Sequence, residues 1–207
     1  MPTTVLLVRH GRTPSTGKVL PGRAPGLHLS EEGRAQAQVA ADRIAALKGK
    51  PVAVYASPLE RTRETAAPIA KALGLKVQRE RGLLECDFGD WTGKQLSTLS
   101  KKPEWATVQR FPSGFRFPGG ESFAEMAARS FETVQKIAAA HPGKTVVAVS
   151  HADPIKAILA TAQGTPLDLF QRLVVSPCSI SALVVSPGGC HVLAVNQTPD
   201  LNELVLS

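Results

Sequence analysis

Thr4-Val5-Leu6-Leu7-Val8-Arg9-His10-Gly11 decides how the rest of the chain is read. Its first five residues are a short, unbroken run of apolar and β-branched side chains. That pattern predicts a strand buried on both faces, as in parallel sheets covered by helices. The run then stops in a cation, an imidazole and a glycine. Ligands of parallel α/β sheets bind beyond the carboxyl ends of the strands, so Arg9, His10 and Gly11 fall where chemistry is expected.

The flanking sequence alternates in the same manner. A Pro/Gly-rich stretch covers residues 14–26, and Ser30 offers an N-cap with Glu31 and Glu32 placed favourably for the helix dipole. Ala37, Ala40, Ala41, Ile44 and Leu47 follow at helical spacing. Val52-Ala53-Val54-Tyr55-Ala56 reads as a second strand. Ser57-Pro58-Leu59-Glu60 reads as a capping box opening a helix that closes at Gly74. Ser122-Phe123-Ala124-Glu125 repeats the capping signal, with Phe123, Met126, Ala127, Val134, Ile137 and Ala138 along one stripe. Thr145–Val149 is a third buried strand and Ile155–Ala162 a further helix. Ser179–Val185 and His191–Val195 flank Pro187-Gly188-Gly189 as a hairpin. The predicted fold is therefore α/β: a three-layer α/β/α sandwich around a mainly parallel sheet with an antiparallel portion.

Composition narrows the class. The 207 residues are 43% apolar and 20% charged, which suits one domain over 1–207, with 86–121 as a substrate-covering loop region. Three cysteines without a C-x-x-C pair exclude a disulfide scaffold or zinc ribbon and point to a reducing, cytoplasmic setting. The sequence has no signal-peptide pattern and no apolar run of the roughly 20 residues a membrane span needs. Lysine and arginine number 24 against 17 acidic residues, a net +7 that favours an anionic partner. The basic residues are scattered and aromatics are only 5%, so a nucleic acid is not expected. A small phosphorylated molecule satisfies the same charge excess.

Three predicted strand ends converge on that partner. The first delivers Arg9-His10-Gly11, the second Ser57 and Arg61, the third Ser150-His151. Helix N-termini following two of them add backbone donors, which makes an anion site. A metal is not expected: no paired carboxylates accompany the histidines, and neighbouring guanidinium groups would repel a cation.

Arg9-His10-Gly11-Arg12-Thr13 closely resembles the R-H-G-x-T signature of the histidine phosphatase superfamily, also called phosphoglycerate-mutase-like. Further matching blocks follow in order: Ala56–Thr62, Leu84-Glu85 ahead of Phe88-Gly89, Pro118–Ser122, and Val149-Ser150-His151. Within that superfamily the chain is similar to an actinobacterial subgroup labelled phosphomutases. The resemblance implies phosphoryl transfer through a phosphohistidine on His10, with no cofactor. It implies that Arg9 and Arg61 hold the phosphoryl oxygens and that His151, most usefully when protonated, completes the clamp. Glu85 is then the general acid and base, with a raised pKa, and Cys86 is only packing. Gly11, Ser57, Ala152 and, in place of the usual asparagine, Thr16 are expected near the phosphate.

The chain departs from the family pattern at Arg12, usually Glu or Gln, and at Ala152, usually Gly, which precedes Asp153-Pro154. Asp153 is expected either to cap the following helix or to pair with Arg12. Arg110, Phe111, Phe115, Arg116 and Phe117 are expected to roof the pocket, with Arg116 touching substrate, although most aromatics of this region equally suit a satellite core. The segment 85–122 is shorter than in the glycolytic mutases, which favours a phosphatase acting on a small phosphate monoester. A phosphomutase and a non-catalytic phosphate-binding module are the alternatives. Oligomeric state stays open.

Overall fold

The computed structural model describes residues 1–199; the remainder of the expected 1–207 domain lies outside the described residues. Six strands form one sheet: β1 (Thr3–Arg9), β2 (Ala53–Ala56), β3 (Val77–Arg79), β4 (Thr145–Ser150), β5 (Ile180–Ser186) and β6 (Gly189–Gln197). Their order is β3-β2-β4-β1-β5-β6. The first four in that order run parallel, and β5 and β6 add antiparallel pairs. This is the predicted mixed sheet.

The period-2 geometry of β1 sorts its side chains to two cores. Val5 and Leu7 join Val146, Ala148 and Leu183 beneath α5 (Phe123–Ala139) and α6 (Ala152–Gln163). Leu6 and Val8 join Val54, Val147 and Val149 beneath α1 (Glu31–Ala45) and α2 (Glu60–Leu73). Every β1 residue from Val5 to Val8 is buried, as a strand covered on both faces requires.

Most helix boundaries follow their caps. Ser30 Oγ accepts from the Gly33 N–H, the Ser122/Glu125 capping box is complete, and Gly74 takes the left-handed conformation that ends α2. Ser57 departs from this pattern. Helix α2 begins at Glu60 with Leu59 at the cap position, and the Ser57 hydroxyl bonds the His151 ring instead. The fully buried imidazole nitrogen needs a partner, because leaving it unpaired costs the desolvation of a polar group. Helix α6 likewise starts earlier than expected, at Ala152 with His151 as cap, so Asp153 lies in the first turn and is not the cap.

The segment 86–121 is not an open loop. It contains two short helices, α3 (Leu96–Leu99) and α4 (Glu104–Arg110), and an aromatic cluster of Phe88, Trp91, Phe115 and Phe117 packed on Phe123 of α5. Phe115 and Phe117 are thus core residues rather than pocket roof, Phe111 and Arg110 face solvent, and Phe88 and Leu96 are the parts of this segment that reach the site.

The strand-end loop after β1 is wedged against α1. A Cβ on Gly33 would sit 2.0 Å from the Arg12 carbonyl oxygen, and one on Gly11 would sit 2.5 Å from the Gly33 oxygen. Backbone cannot yield as a side chain does, so Gly33→Ala should cost about 2–3 kcal/mol and lower Tm by roughly 5–10 °C. Gly49→Ala, where nothing lies within 4 Å, should leave Tm nearly unchanged. Equal melting shifts for the two variants in calorimetry would contradict the wedge.

Candidate active site

Strand β1 pairs Arg9 with Ser150 of β4, and the ladder runs one bond further, His10 N–H to the Ser150 carbonyl at 3.0 Å. Ser57 N–H extends the neighbouring ladder to the Val149 carbonyl at 3.0 Å. His10 and Ser57 therefore stand on backbone held by sheet hydrogen bonds, although both lie just past strand ends, and His151 follows Ser150 as the cap residue of α6.

His10 is 6% exposed. Its Nδ1 lies 2.8 Å from the Gly11 carbonyl oxygen. In the neutral ring Nδ1–H donates that bond, which leaves the Nε2 lone pair free. Burial first, then the Arg61 and Arg9 guanidinium groups, hold the His10 pKa well below the usual imidazole range; the Gly11 contact opposes this weakly. The His151 ring stands edge-on to it, centroids 5.3 Å apart. Burial, then Arg61, His10 and Arg9, push His151 down as well, so it is neutral in this state, not protonated.

Two arginines are fixed around these rings. Arg9 Nη1 donates to the Val175 carbonyl at 2.7 Å, and fully buried Arg61 donates from Nη2 to Gly22 at 2.8 Å. Several nitrogens of the cluster are unsatisfied: Arg9 Nε, Arg61 Nε, Arg61 Nη1 and His151 Nδ1 are buried with no hydrogen-bond partner among the described residues. An unsatisfied buried donor costs about 1–3 kcal/mol, more when charged. A group of them around one strand-end cluster marks a seat for an oxyanion.

Glu85 completes the cluster. It is 7% exposed, with one oxygen 4.0 Å from His151 Nδ1 and the other accepting from the Cys86 N–H at 3.0 Å. Burial and then the Asp153 carboxylate push its pKa up to about 7, against the pull of Arg61, Cys86 N–H and Arg9. The cavity in front measures about 330 Å³ and is lined by Arg9, His10, Thr16, Glu85, Phe88 and Ala152 among others.

The sequence profile of the histidine phosphatase superfamily (branch 1) matches residues 5–198. The chain belongs to the histidine phosphatase superfamily. Phosphoserine phosphatase 1 of Hydrogenobacter thermophilus is 31% identical over 207 residues, covering 96% of this chain and 94% of that protein. The bifunctional protein Rv2228c of Mycobacterium tuberculosis is 36% identical over 201 residues, 95% of this chain but 54% of its own length. This chain thus spans about half the length of that relative. Among solved structures, a mycobacterial glucosyl-3-phosphoglycerate phosphatase superposes with TM-score 0.85 at 26% identity, covering 96% of this chain and 100% of that one.

Not every expected residue of this histidine phosphatase chain meets the cavity as anticipated. Thr16 lines it, its hydroxyl accepting from the Thr13 N–H at 2.9 Å. Gly11 contributes shape rather than a phosphate donor, because its N–H is spent on Thr65 Oγ1 at 3.0 Å. Ser57 is fully buried and serves His151. Arg116 is absent from the lining; its guanidinium is held by Glu125 and by the Gly120 carbonyl at the start of α5. Arg12 turns outward to Glu32 at 3.1 Å, not to Asp153.

Sequence reasoning missed the supports of Glu85. Arg23 Nε donates to the Glu85 carbonyl at 2.9 Å, and Arg129 Nη1 donates to the Gly82 and Leu84 carbonyls at 2.7 and 3.1 Å. Glu121 joins the two arginines, 2.8 Å from Arg23 and 2.9 Å from Arg129. Glu121 was visible within Pro118–Ser122, but nothing in the spacing links it to arginines so remote in sequence.

The direction of the His10 shift is directly observable. Its ring should remain neutral at pH 6, read from imidazole nitrogen chemical shifts. A His10 titration centred at or above the free-imidazole pKa of about 6.5 would contradict the role assigned to Arg9, Arg61 and burial.

Proposed function

We propose that this chain is a metal-independent phosphatase that hydrolyses small phosphate monoesters through a phosphohistidine on His10. The observation that carries this reading is the conjunction of buried, unpaired donors on Arg9, Arg61 and His151 with a neutral His10 whose Nε2 is free. The phosphatase names of relatives matching most of the chain support it.

The phosphoryl group takes the place the donors leave open. His10 Nε2 attacks phosphorus in line; the N–P bond forms as the ester P–O bond breaks. Arg9 and Arg61 neutralise the equatorial oxygens, where transition-state charge gathers, and their fixed forks need no reorganisation. Ser57 orients the His151 ring so that its Nδ1 donates to the same oxygens. Glu85, protonated in part near neutrality, gives its proton to the leaving alkoxide. The resulting carboxylate then takes a proton from water as the water oxygen attacks phosphorus and His10 is released. Two buried guanidinium groups supply the charge a divalent cation would otherwise supply, and they disfavour a cation in the same place. Residues 1–207 are read as one catalytic domain, and the cysteine usage suits the cytoplasm. Among the described residues no helix is long and apolar enough to cross a membrane. Water as acceptor separates this reading from a phosphomutase: the product is inorganic phosphate, not an isomeric ester.

Phosphate release from a panel of esters in EDTA tests the activity. His10→Ala should abolish it, with the melting profile retained. Glu85→Gln should lower kcat/KM on alkyl phosphates by ~10²-fold or more and on aryl phosphates far less, since a phenolate leaves without a proton. For the wild type, kcat/KM on alkyl esters should fall as pH rises past about 7, because the acid form of Glu85 is lost there. Equal losses on both ester types in Glu85→Gln would contradict the acid role.

A further inference from the structure

Beside Arg9, His10 and Glu85 the cavity is lined by a second set of residues that the phosphoryl chemistry does not use. Val19, Leu20, Leu96 and Val174 belong to that set, each at least partly exposed, Val174 to 64%. Single exposed valines are ordinary, but apolar side chains gathered around one mouth mark a surface that something apolar covers.

The charged residues of the lining besides Arg9 and Glu85 are Asp153 and Lys156, three positions apart on the first turns of α6. Lys156 Nζ is bound to Gln171 Oε1 at 3.1 Å. Burial pushes the Asp153 carboxyl above its usual range, and Lys156 and then Arg9 pull it back toward the charged form. Asp153 in turn acts on both Glu85 and Arg9. Arg116, expected to touch substrate, is bound elsewhere, and the guanidinium groups of Arg9 and Arg61 are committed to phosphoryl oxygens. A carboxylate on the substrate's alcohol part would therefore face Asp153 and Glu85 with only a shared lysine to offset them.

We propose that Asp153 is a specificity-determining charge filter: the site takes phosphate monoesters of uncharged alcohols with an apolar flank, and Asp153 disfavours esters whose alcohol carries a carboxylate. The inference rests on the phosphatase reading and adds a substrate class to it.

A matched pair of esters tests it. Glycerol 3-phosphate and 3-phosphoglycerate share the leaving CH2–O group and differ in a hydroxymethyl against a carboxylate. Wild-type kcat/KM should favour glycerol 3-phosphate by about tenfold or more, the size expected for like charges roughly 10 Å apart in a half-buried site. Asp153→Asn should shrink that ratio about tenfold. Taking the ratio within one enzyme cancels any change in folded fraction or in Glu85 acidity, which a merely structural role would produce. Val174→Ser, at an exposed position, should lower the preference for hexyl phosphate over glycerol 3-phosphate several-fold. A wild-type preference for 3-phosphoglycerate, or an unchanged ratio in Asp153→Asn, would overturn the filter. Failure of the phosphatase reading has a separate signature, no phosphate release from any of the three; equilibrium binding of the same matched pair to wild type and Asp153→Asn would then read the ratio instead.

Discussion

Hydrogen-bond donors buried without partners are the constraint on which the rest of this molecule depends. Arg9, Arg61 and His151 each hold nitrogen atoms away from water with nothing to receive their hydrogen bonds. A folded chain keeps such groups only when something else over-determines their positions. Here Val175 and Gly22 carbonyls anchor the guanidinium forks, and Ser57 anchors the imidazole. Burial, reinforced by the same field that makes the place attractive to an oxyanion, keeps His10 and His151 neutral. One electrostatic arrangement thus provides both the binding energy for a phosphoryl group and a neutral nitrogen to attack it.

The architecture serves that arrangement in two ways. Sheet hydrogen bonding continues one residue past β1 and β2, so the reactive residues sit on rigid backbone rather than on a mobile loop. Glycines at 11 and 33 allow the loop after β1 to press against α1 closely enough that no Cβ fits between them. Glu85 lacks a strand beneath it. Its loop is instead held by Arg23 and Arg129 through backbone carbonyls, with Glu121 between the two cations. Catalytic acid and nucleophile therefore rest on different supports, hydrogen-bonded sheet for one and an ion-pair network for the other.

Local signals were readable where local physics decides. The buried run at Val5–Val8, the caps at Ser30 and Ser122 and the glycine ending α2 all stand where hydrophobic periodicity and capping placed them. Misreadings arose where a long-range partner outbid a local one. Ser57 has the sequence context of an N-cap, but a buried ring 94 residues away takes its hydroxyl. Asp153 and Arg12 have opposite charges, yet Arg12 is drawn to Glu32 on the adjoining helix. Arg116 looked like a substrate contact because it lies among phenylalanines; the neighbouring rings of Phe115 and Phe117 turn inward to the core and leave it at the surface with Glu125. The strap around Glu85 was invisible for the same reason, since its members come from widely separated parts of the chain.

Trapping the covalent intermediate tests the central claim most directly. Enzyme quenched in alkali during steady turnover of an ester, then digested and mapped by mass spectrometry, should carry an acid-labile phosphoryl group on His10 and on no other residue. Steady ester cleavage without that adduct, or with the phosphoryl group on another side chain, would contradict the account.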